Sequence, residues 1–369
     1  MSTEYTLEEL FDLQMGKTPS RNNPEYWNSA DYKWISIGDL SKCGKFISET
    51  KEYISDTAVS ESGISQIPAD TVVMSFKLSI GKTAITAEPM YSNEAIMSFR
   101  DRHVVDLLPD YIYYMFSGRN WDTGTNKAVM GKTLNKATLS KIKIRVHPIE
   151  EQKHIIGVLD KVATVIDARN KELQTLDDLI KARFVEMFGN PVVNSMNWQK
   201  QRFDSLCENL DGKRRPITST DRIEGPYPYY GASGVVDFVA DYIFDEDILL
   251  ISEDGANLLA RSTPIAFSVS GKVWVNNHAH VVRFSNFALQ KYIEYYFAMI
   301  SIEDYVTGST QPKLNQAKLN GMMIPIPSKD KIEKYLCFIR QIDKSKVVVQ
   351  KALDEAQLLF DSLMQQYFG

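Results

Sequence analysis

KTLNKATLSKIKIRVHPIEEQKHIIGVLDKVATVIDARNKELQTLDDLIKARFVEMFG, residues 132–189, aligns without a gap onto PKLNQAKLNGMMIPIPSKDKIEKYLCFIRQIDKSKVVVQKALDEAQLLFDSLMQQYFG, residues 312–369. The separation is 180 residues throughout, about half of the 369-residue chain. Identical pairs include Leu134/Leu314, Asn135/Asn315, Leu139/Leu319, Ile144/Ile324, Leu173/Leu353, Leu179/Leu359, Phe188/Phe368 and Gly189/Gly369. A duplicated half predicts a pseudo-two-fold molecule, and that symmetry suits a protein that reads two half-sites on a duplex.

Within the repeat, apolar residues recur in steps of four and three. Ile155, Leu159, Val162, Ile166, Arg169, Leu173, Leu176, Ile180, Arg183 and Met187 are eight apolar positions of ten. Tyr335, Ile339, Ile342, Lys346, Val349, Leu353, Ala356, Phe360, Leu363 and Tyr367 are nine of ten. A sustained heptad is the pattern of a coiled-coil seam. Both runs end at Phe-Gly, where a helix stops, and Pro191 follows the first. Each seam needs a cover. The simplest arrangement packs the two helices on each other, antiparallel, as rods of about 33 residues and near 50 Å. The alternative packs each helix on its own globular domain.

Residues 1–148 and 190–327 differ from the helices in texture, with short β-rich runs such as Thr71–Phe76, Ile248–Ser252 and Val273–Val275, and turns at Asp211-Gly212 and Ser270-Gly271. We read an α+β chain: two mixed α/β heads, 1–148 and 190–327, held apart by two long antiparallel coiled-coil helices, 149–189 and 328–369. The heads share little sequence with each other, so the scaffold is duplicated while the heads have diverged.

Hydrophobic content of 44% and charged content of 24% are those of a soluble globular protein. No apolar run approaches the roughly 20 residues that span a bilayer, and the first ten residues are polar and acidic, unlike a secretion signal. Cys43, Cys207 and Cys337 lie far apart without metal-site or disulfide spacing, so a reducing cytoplasm is the simplest location. The formal net charge of −5 argues against nucleic acid at face value, but its distribution does not. Thr123–Ile149 has no acidic residue and carries Lys127, Lys132, Lys136, Lys141, Lys143 and Arg145. The equivalent stretch, Tyr305–Ser328, is also free of Asp and Glu and carries Lys313 and Lys318. Removing carboxylates at the same place in both copies fits two patches that face phosphate.

Catalytic motifs are decoys here. Three Gly-Lys-Thr tripeptides, at Gly16, Gly81 and Gly131, lack the glycine five positions earlier that a phosphate-wrapping loop requires; Phe11, Phe76 and Asn126 stand there. Asn23-Pro24-Glu25-Tyr26 resembles the base-holding loop of adenine methyltransferases, but Glu25 would set a charge against the amine, and no glycine-rich cofactor turn precedes it. The five histidines, His103, His147, His154, His278 and His280, form no metal or triad spacing. We expect no catalytic and no metal residue. The polar clusters remain: Gly16-Lys17-Thr18-Pro19-Ser20-Arg21-Asn22-Asn23 with Tyr26 and Trp27 in the first head, and Lys213-Arg214-Arg215-Pro216 with Tyr227–Gly234 in the second. Arg and Asn can pair with base edges, while hydroxyls and amides hold phosphate.

These residues resemble the specificity (S) subunit of type I restriction-modification systems. The words that carry the likeness are Gly16-Lys17-Thr18-Pro19-Ser20-Arg21, Trp34-Ile35-Ser36-Ile37-Gly38-Asp39-Leu40, Pro228-Tyr229-Tyr230-Gly231-Ala232-Ser233-Gly234, Ser252-Glu253-Asp254-Gly255-Ala256-Asn257-Leu258, the repeated Leu-Asn, and Pro148-Ile149-Glu150-Glu151-Gln152. The second copy departs with Lys329-Asp330-Lys331-Ile332. The resemblance implies that each head is a target recognition domain reading one half of a bipartite asymmetric site in double-stranded DNA, with the helices as a ruler. It implies two modification (M) subunits that bring S-adenosylmethionine, optionally two restriction (R) subunits, no membrane, and no cofactor or chemistry in this chain. The DNA-binding candidates in the first half are Lys17, Thr18, Ser20, Arg21, Asn22, Lys77, Lys82, Lys132, Asn135 and Lys136. Those in the second are Lys213, Arg214, Arg215, Tyr230, Ser233, Asn257, Arg261, Gln311, Lys313 and Asn315. A protein-only coiled-coil adaptor would explain the helices without the acid depletion; a self-contained DNA-modifying enzyme would need a cofactor loop or metal site.

Overall fold

The computed structural model describes residues 2–77, 79–121, 126–128, 131–308 and 310–369, without the side chains of 126–128 and 131–133. The side chain of the candidate Lys132, like that of Lys127, lies outside the described residues. The chain forms two compact units, Met1–Arg169 with Ala352–Gly369, and Asn170–Lys351.

In the first unit, a five-stranded sheet runs in the order Phe11–Met15, Ile96–Asp101, Val72–Ser75, Thr83–Thr86, Phe46–Ile47. A smaller sheet orders Glu52–Ile54, Tyr32–Ile35 and Tyr91–Ser92. Thr3–Thr6 pairs antiparallel with Lys143–Val146, closing the head just before the first long helix begins. The helix Pro109–Ser117 lays Tyr111, Ile112, Met115 and Phe116 against Phe11 and Phe99. Ile155 and Leu159 of the first long helix and Met364 of the second join that same core.

The second unit repeats the plan. Its main sheet orders Glu208–Asn209, Ala279–Arg283, Ile248–Ser252 and Ala266–Val269; its smaller sheet orders Gly234–Val239, Tyr227–Gly231, Lys272–Val275 and Phe244–Asp245. Lys200–Arg202 pairs with Met323–Pro325, as Thr3–Thr6 pairs with Lys143–Val146. Local hydrogen bonds repeat as well. Asn93 Oδ1 accepts from the Ala95 N–H at 3.0 Å and Asn276 Oδ1 from the His278 N–H at 2.8 Å. The duplication therefore extends through the heads, whose sequences have diverged on a shared backbone scheme.

The long helices span Ile149–Phe188 and Lys329–Phe368, 40 residues each, or about 60 Å rather than 50. They are longer than the heptad run because helix begins right after Pro148, one turn and a half ahead of the first seam position. Gly189 ends the first in the left-handed region at φ 78°, a conformation that glycine adopts without strain. In the second unit the two helical stretches run antiparallel. Lys331 Nζ reaches the Met187 carbonyl at 3.4 Å, Tyr335 donates to the Ile180 carbonyl at 3.2 Å, and Lys346 pairs with Asp177. All ten seam positions of each helix are buried or half-buried. Helix-on-helix and helix-on-head packing are not alternatives here. Ile180, Phe184 and Phe188 share one core with Ile332, Tyr335 and Ile339 and with Phe203, Leu249 and Tyr292 of the head. Each such fully buried ring adds about 2–3 kcal/mol of burial.

Candidate functional site

In both units several of the candidate residues lie near the end of one central strand. In the first, that strand is Val72–Ser75, followed by Phe76 and Lys77. The backbone of Gly16 bonds to Ile96 and that of Lys17 to Ser92, which carries the Gly16–Asn23 loop across the strand ends. Two tryptophans pin it: Trp34 Nε1 donates to the Lys17 carbonyl and Trp27 Nε1 to the Ser20 carbonyl, both at 3.1 Å. Thr18 donates to Glu94, and that bond, with the charges of Lys77 and Arg21, holds the Glu94 carboxyl below its usual range despite partial burial. Arg21 makes a bidentate pair with Glu52, at 2.5 and 3.1 Å, with its guanidinium 3.7 Å over the Trp27 ring. Lys17 reaches the Ser62 carbonyl at the end of the helix Asp56–Ser62. Ser20, Asn22 and Lys82 are exposed.

The acid-free segment docks beside them, where the Leu134 N–H donates to the Phe76 carbonyl at 3.2 Å. Leu134 is buried, and Asn135 caps the helix Lys136–Ser140 by accepting from the Thr138 N–H at 2.8 Å. Lys136 points outward at the first turn.

The second unit is built the same way around Ser252–Glu253, at the end of Ile248–Ser252. The Leu314 N–H donates to the Glu253 carbonyl at 2.8 Å, Leu314 is buried, and Asn315 caps Gln316–Asn320 by accepting from the Lys318 N–H at 2.9 Å. Ser252 donates to the Ala232 carbonyl, tying the hairpin turn that carries Ser233 to the same place. The Gly255 N–H bonds to the Pro312 carbonyl, next to Gln311. Lys313 Nζ lies 3.1 Å from Glu253 Oε1. Lys213 and Arg215 are exposed, and Trp274 Nε1 donates to the Arg215 carbonyl.

Three candidates are placed otherwise than a base reader needs. Arg214 is nearly buried and divides its guanidinium among Glu253 at 2.6 Å, the Ala279 carbonyl at 2.8 Å and the Asp211 carbonyl at 3.1 Å. Arg261 donates to the Phe297 and Ile300 carbonyls, closing the end of the helix Phe287–Met299. Asn257 binds the turn at Ser262 and Thr263. Tyr230 is half-buried, with its ring 6.0 Å from that of Phe267.

Asp211, Glu253 and His280 converge as metal-binding types do. Arg214 and Lys313 already supply the positive charge there, and His280 bonds Asp211 with one nitrogen, at 2.7 Å, and the Leu314 carbonyl with the other, at 2.8 Å. The arrangement is an ion-pair network, not a cation cradle. Sequence reading missed its acidic members because Arg214 and Glu253 stand 39 residues apart with no local pattern linking them.

The family described as "Type I restriction modification DNA specificity domain" matches residues 2–177 and 196–356, one copy for each half. The specificity subunit of the type I restriction enzyme MjaIX from Methanocaldococcus jannaschii is 23% identical over 397 residues, covering 97% of this chain and 90% of that protein. A putative type I restriction enzyme specificity subunit from Haemophilus influenzae is 34% identical over 124 residues, 34% of this chain and 32% of its own length. Among solved structures, the S subunit of a type I restriction-modification system from M. genitalium shares the fold, with a TM-score of 0.54 at 14% identity, covering 100% of this chain and 96% of that one.

Proposed function

This chain belongs to the type I restriction-modification DNA specificity family, and from that premise we propose that it is the DNA-reading subunit of a methyltransferase complex. Each head reads one half of a bipartite asymmetric site on double-stranded DNA. The long helices set the gap and dock two modification subunits, which carry S-adenosylmethionine and the adenine-methylating site; two restriction subunits complete the nuclease form. The chain itself supplies recognition and scaffolding rather than chemistry.

The observation that carries the reading is the twofold use of one device. In each unit an acid-free segment is fastened through its Leu-Asn dipeptide to the end of the central strand, at Phe76 in one and Glu253 in the other. Around that shared anchor the side chains differ: Thr18, Arg21 and Lys77 in one unit, Lys213, Arg215 and Lys313 in the other. A constant frame with different polar groups is what two unlike half-sites require.

The test is a genome-wide map of N6-methyladenine in cells expressing this chain with the modification subunit of its own operon, against that subunit alone. A new two-part motif with a fixed gap, present only with this chain, is the expected result. A stable complex that adds no methylation and binds no DNA would overturn it in favour of a protein-only adaptor.

A further inference from the structure

Among the described residues, the main sheet of the first head carries one strand that the equivalent sheet of the second lacks. Phe46–Ile47 pairs parallel with Thr83–Thr86 as the fifth strand of its sheet, whereas the equivalent sheet of the second unit has four strands. The residue that leads into this added strand is Lys45. Its Nζ lies 2.5 Å from Asp110 at the start of the helix Pro109–Ser117 and 2.8 Å from Asp160 on the first long helix. It also sits 4.8 Å over the ring of Tyr114, whose hydroxyl donates to Asp160 at 2.5 Å. Only 18% of the lysine side chain is exposed. The cluster therefore ties three segments of the first unit at one point: the added strand, the head's main helix and the long helix.

The second unit meets its helices differently. The position 180 residues after Asp160 is Arg340, which is exposed. Head and helices meet in that unit through Phe184, Phe188, Tyr292 and Tyr335, whose rings stack or meet edge to face at 5.0–5.7 Å, and through a neutral-donor bond from Asn286 Nδ2 to Glu333 at 2.9 Å, with no cation shared between head and helix carboxylates among the described residues. Apolar packing is non-directional, while a cation shared by two carboxylates, one of them also bonded to a tyrosine, fixes an angle more tightly than a neutral-donor bond does.

We propose that Lys45 is a positioning residue that latches the first head to its long helix at one angle, and so fixes the gap length accepted between the two half-sites. The inference rests on the bipartite reading above. The latch acts through Asp160 and touches no DNA.

The test uses the full complex with modification subunits and a DNA library in which both half-sites are fixed and the gap varies in one-base steps. For Lys45→Met and for Asp160→Asn, methylation at neighbouring gap lengths should rise relative to the preferred one by about tenfold, with the bases required in each half-site unchanged. Asp160→Asn keeps an oxygen for Tyr114, so it reports on the latch even if Lys45→Met does not fold. Parental gap preference in a folded Asp160→Asn complex, or altered bases in the first half-site, would overturn the latch. A parental complex without any paired half-site preference would instead overturn the proposed function.

Discussion

Arg214 Nη1 stands 2.6 Å from Glu253 Oε2, with 13% and 12% of the two side chains exposed. The pair closes the end of the second unit's central strand rather than offering a guanidinium to a base. Removing one member of such a pair strands the other charge in a poorly solvated place. Arg214→Ala should therefore destabilise the second unit by about 3–5 kcal/mol. Thermal unfolding and amide exchange at Ile248–Ser252 would report it; an unchanged melting temperature with a relaxed second half-site would restore Arg214 as a reader.

The same network predicts an acid limit. Burial alone would raise the Asp211 and Glu253 carboxyls, but bonds from His280 to Asp211 and from Arg214 to Glu253 outweigh it and leave both below their usual range. A carboxyl lowered in the folded state stabilises it fully above its unfolded pKa, about 3.9 for Asp and 4.3 for Glu, and loses that contribution as pH falls through the folded value. The melting temperature should hold above about pH 5 and drop below about 4. In Glu253→Gln the overall temperature is lower and the fall below pH 4 is shallower; parallel curves for the two proteins would refute the assignment.

The helical frame was legible because period and burial coincide: Ile155, Leu159, Ile180, Tyr335, Ile339 and Ile342 occupy seam positions and are buried. Phe184, Phe188, Leu336 and Met364 were not legible as core, since they lie off the heptad and are covered by the heads as well as by the partner helix. The common plan of the heads was hidden for a related reason. It resides in strand order and in main-chain bonds such as Leu134 to Phe76 and Leu314 to Glu253, which place no constraint on side-chain identity. Two cations read as candidates are tied to carboxylates far away in sequence, which no local pattern announces: Arg21 is bonded to Glu52 and Arg214 to Glu253.

Asn135 and Asn315 make the repeated Leu-Asn a structural word. Each asparagine satisfies an N–H of a five-residue helix that has too few internal bonds to hold itself. Asn135→Ala and Asn315→Ala should each cost about 1 kcal/mol and loosen the local segment, while Asn→Asp keeps the cap. Equal loss of DNA binding for Ala and Asp variants, with stability untouched, would mean that the amide contacts DNA directly.

Lys136 offers the cleanest separation of phosphate contact from fold. It is exposed at the first turn of its helix, and the acid-free stretch around it leaves few carboxylates to compete for its charge. Replacing it by Gln removes a charge at a site where packing contributes little, so the melting temperature should move by less than about 0.5 kcal/mol worth of stability. If the lysine neutralises one phosphate, binding weakens for every DNA sequence alike and the slope of log K against log salt becomes shallower by about 0.9. Titration of the full complex at several salt concentrations, on a cognate duplex and an unrelated one, measures both effects together. A loss confined to the cognate duplex with an unchanged slope would make Lys136 a base reader; no loss on either would remove this segment from the DNA interface.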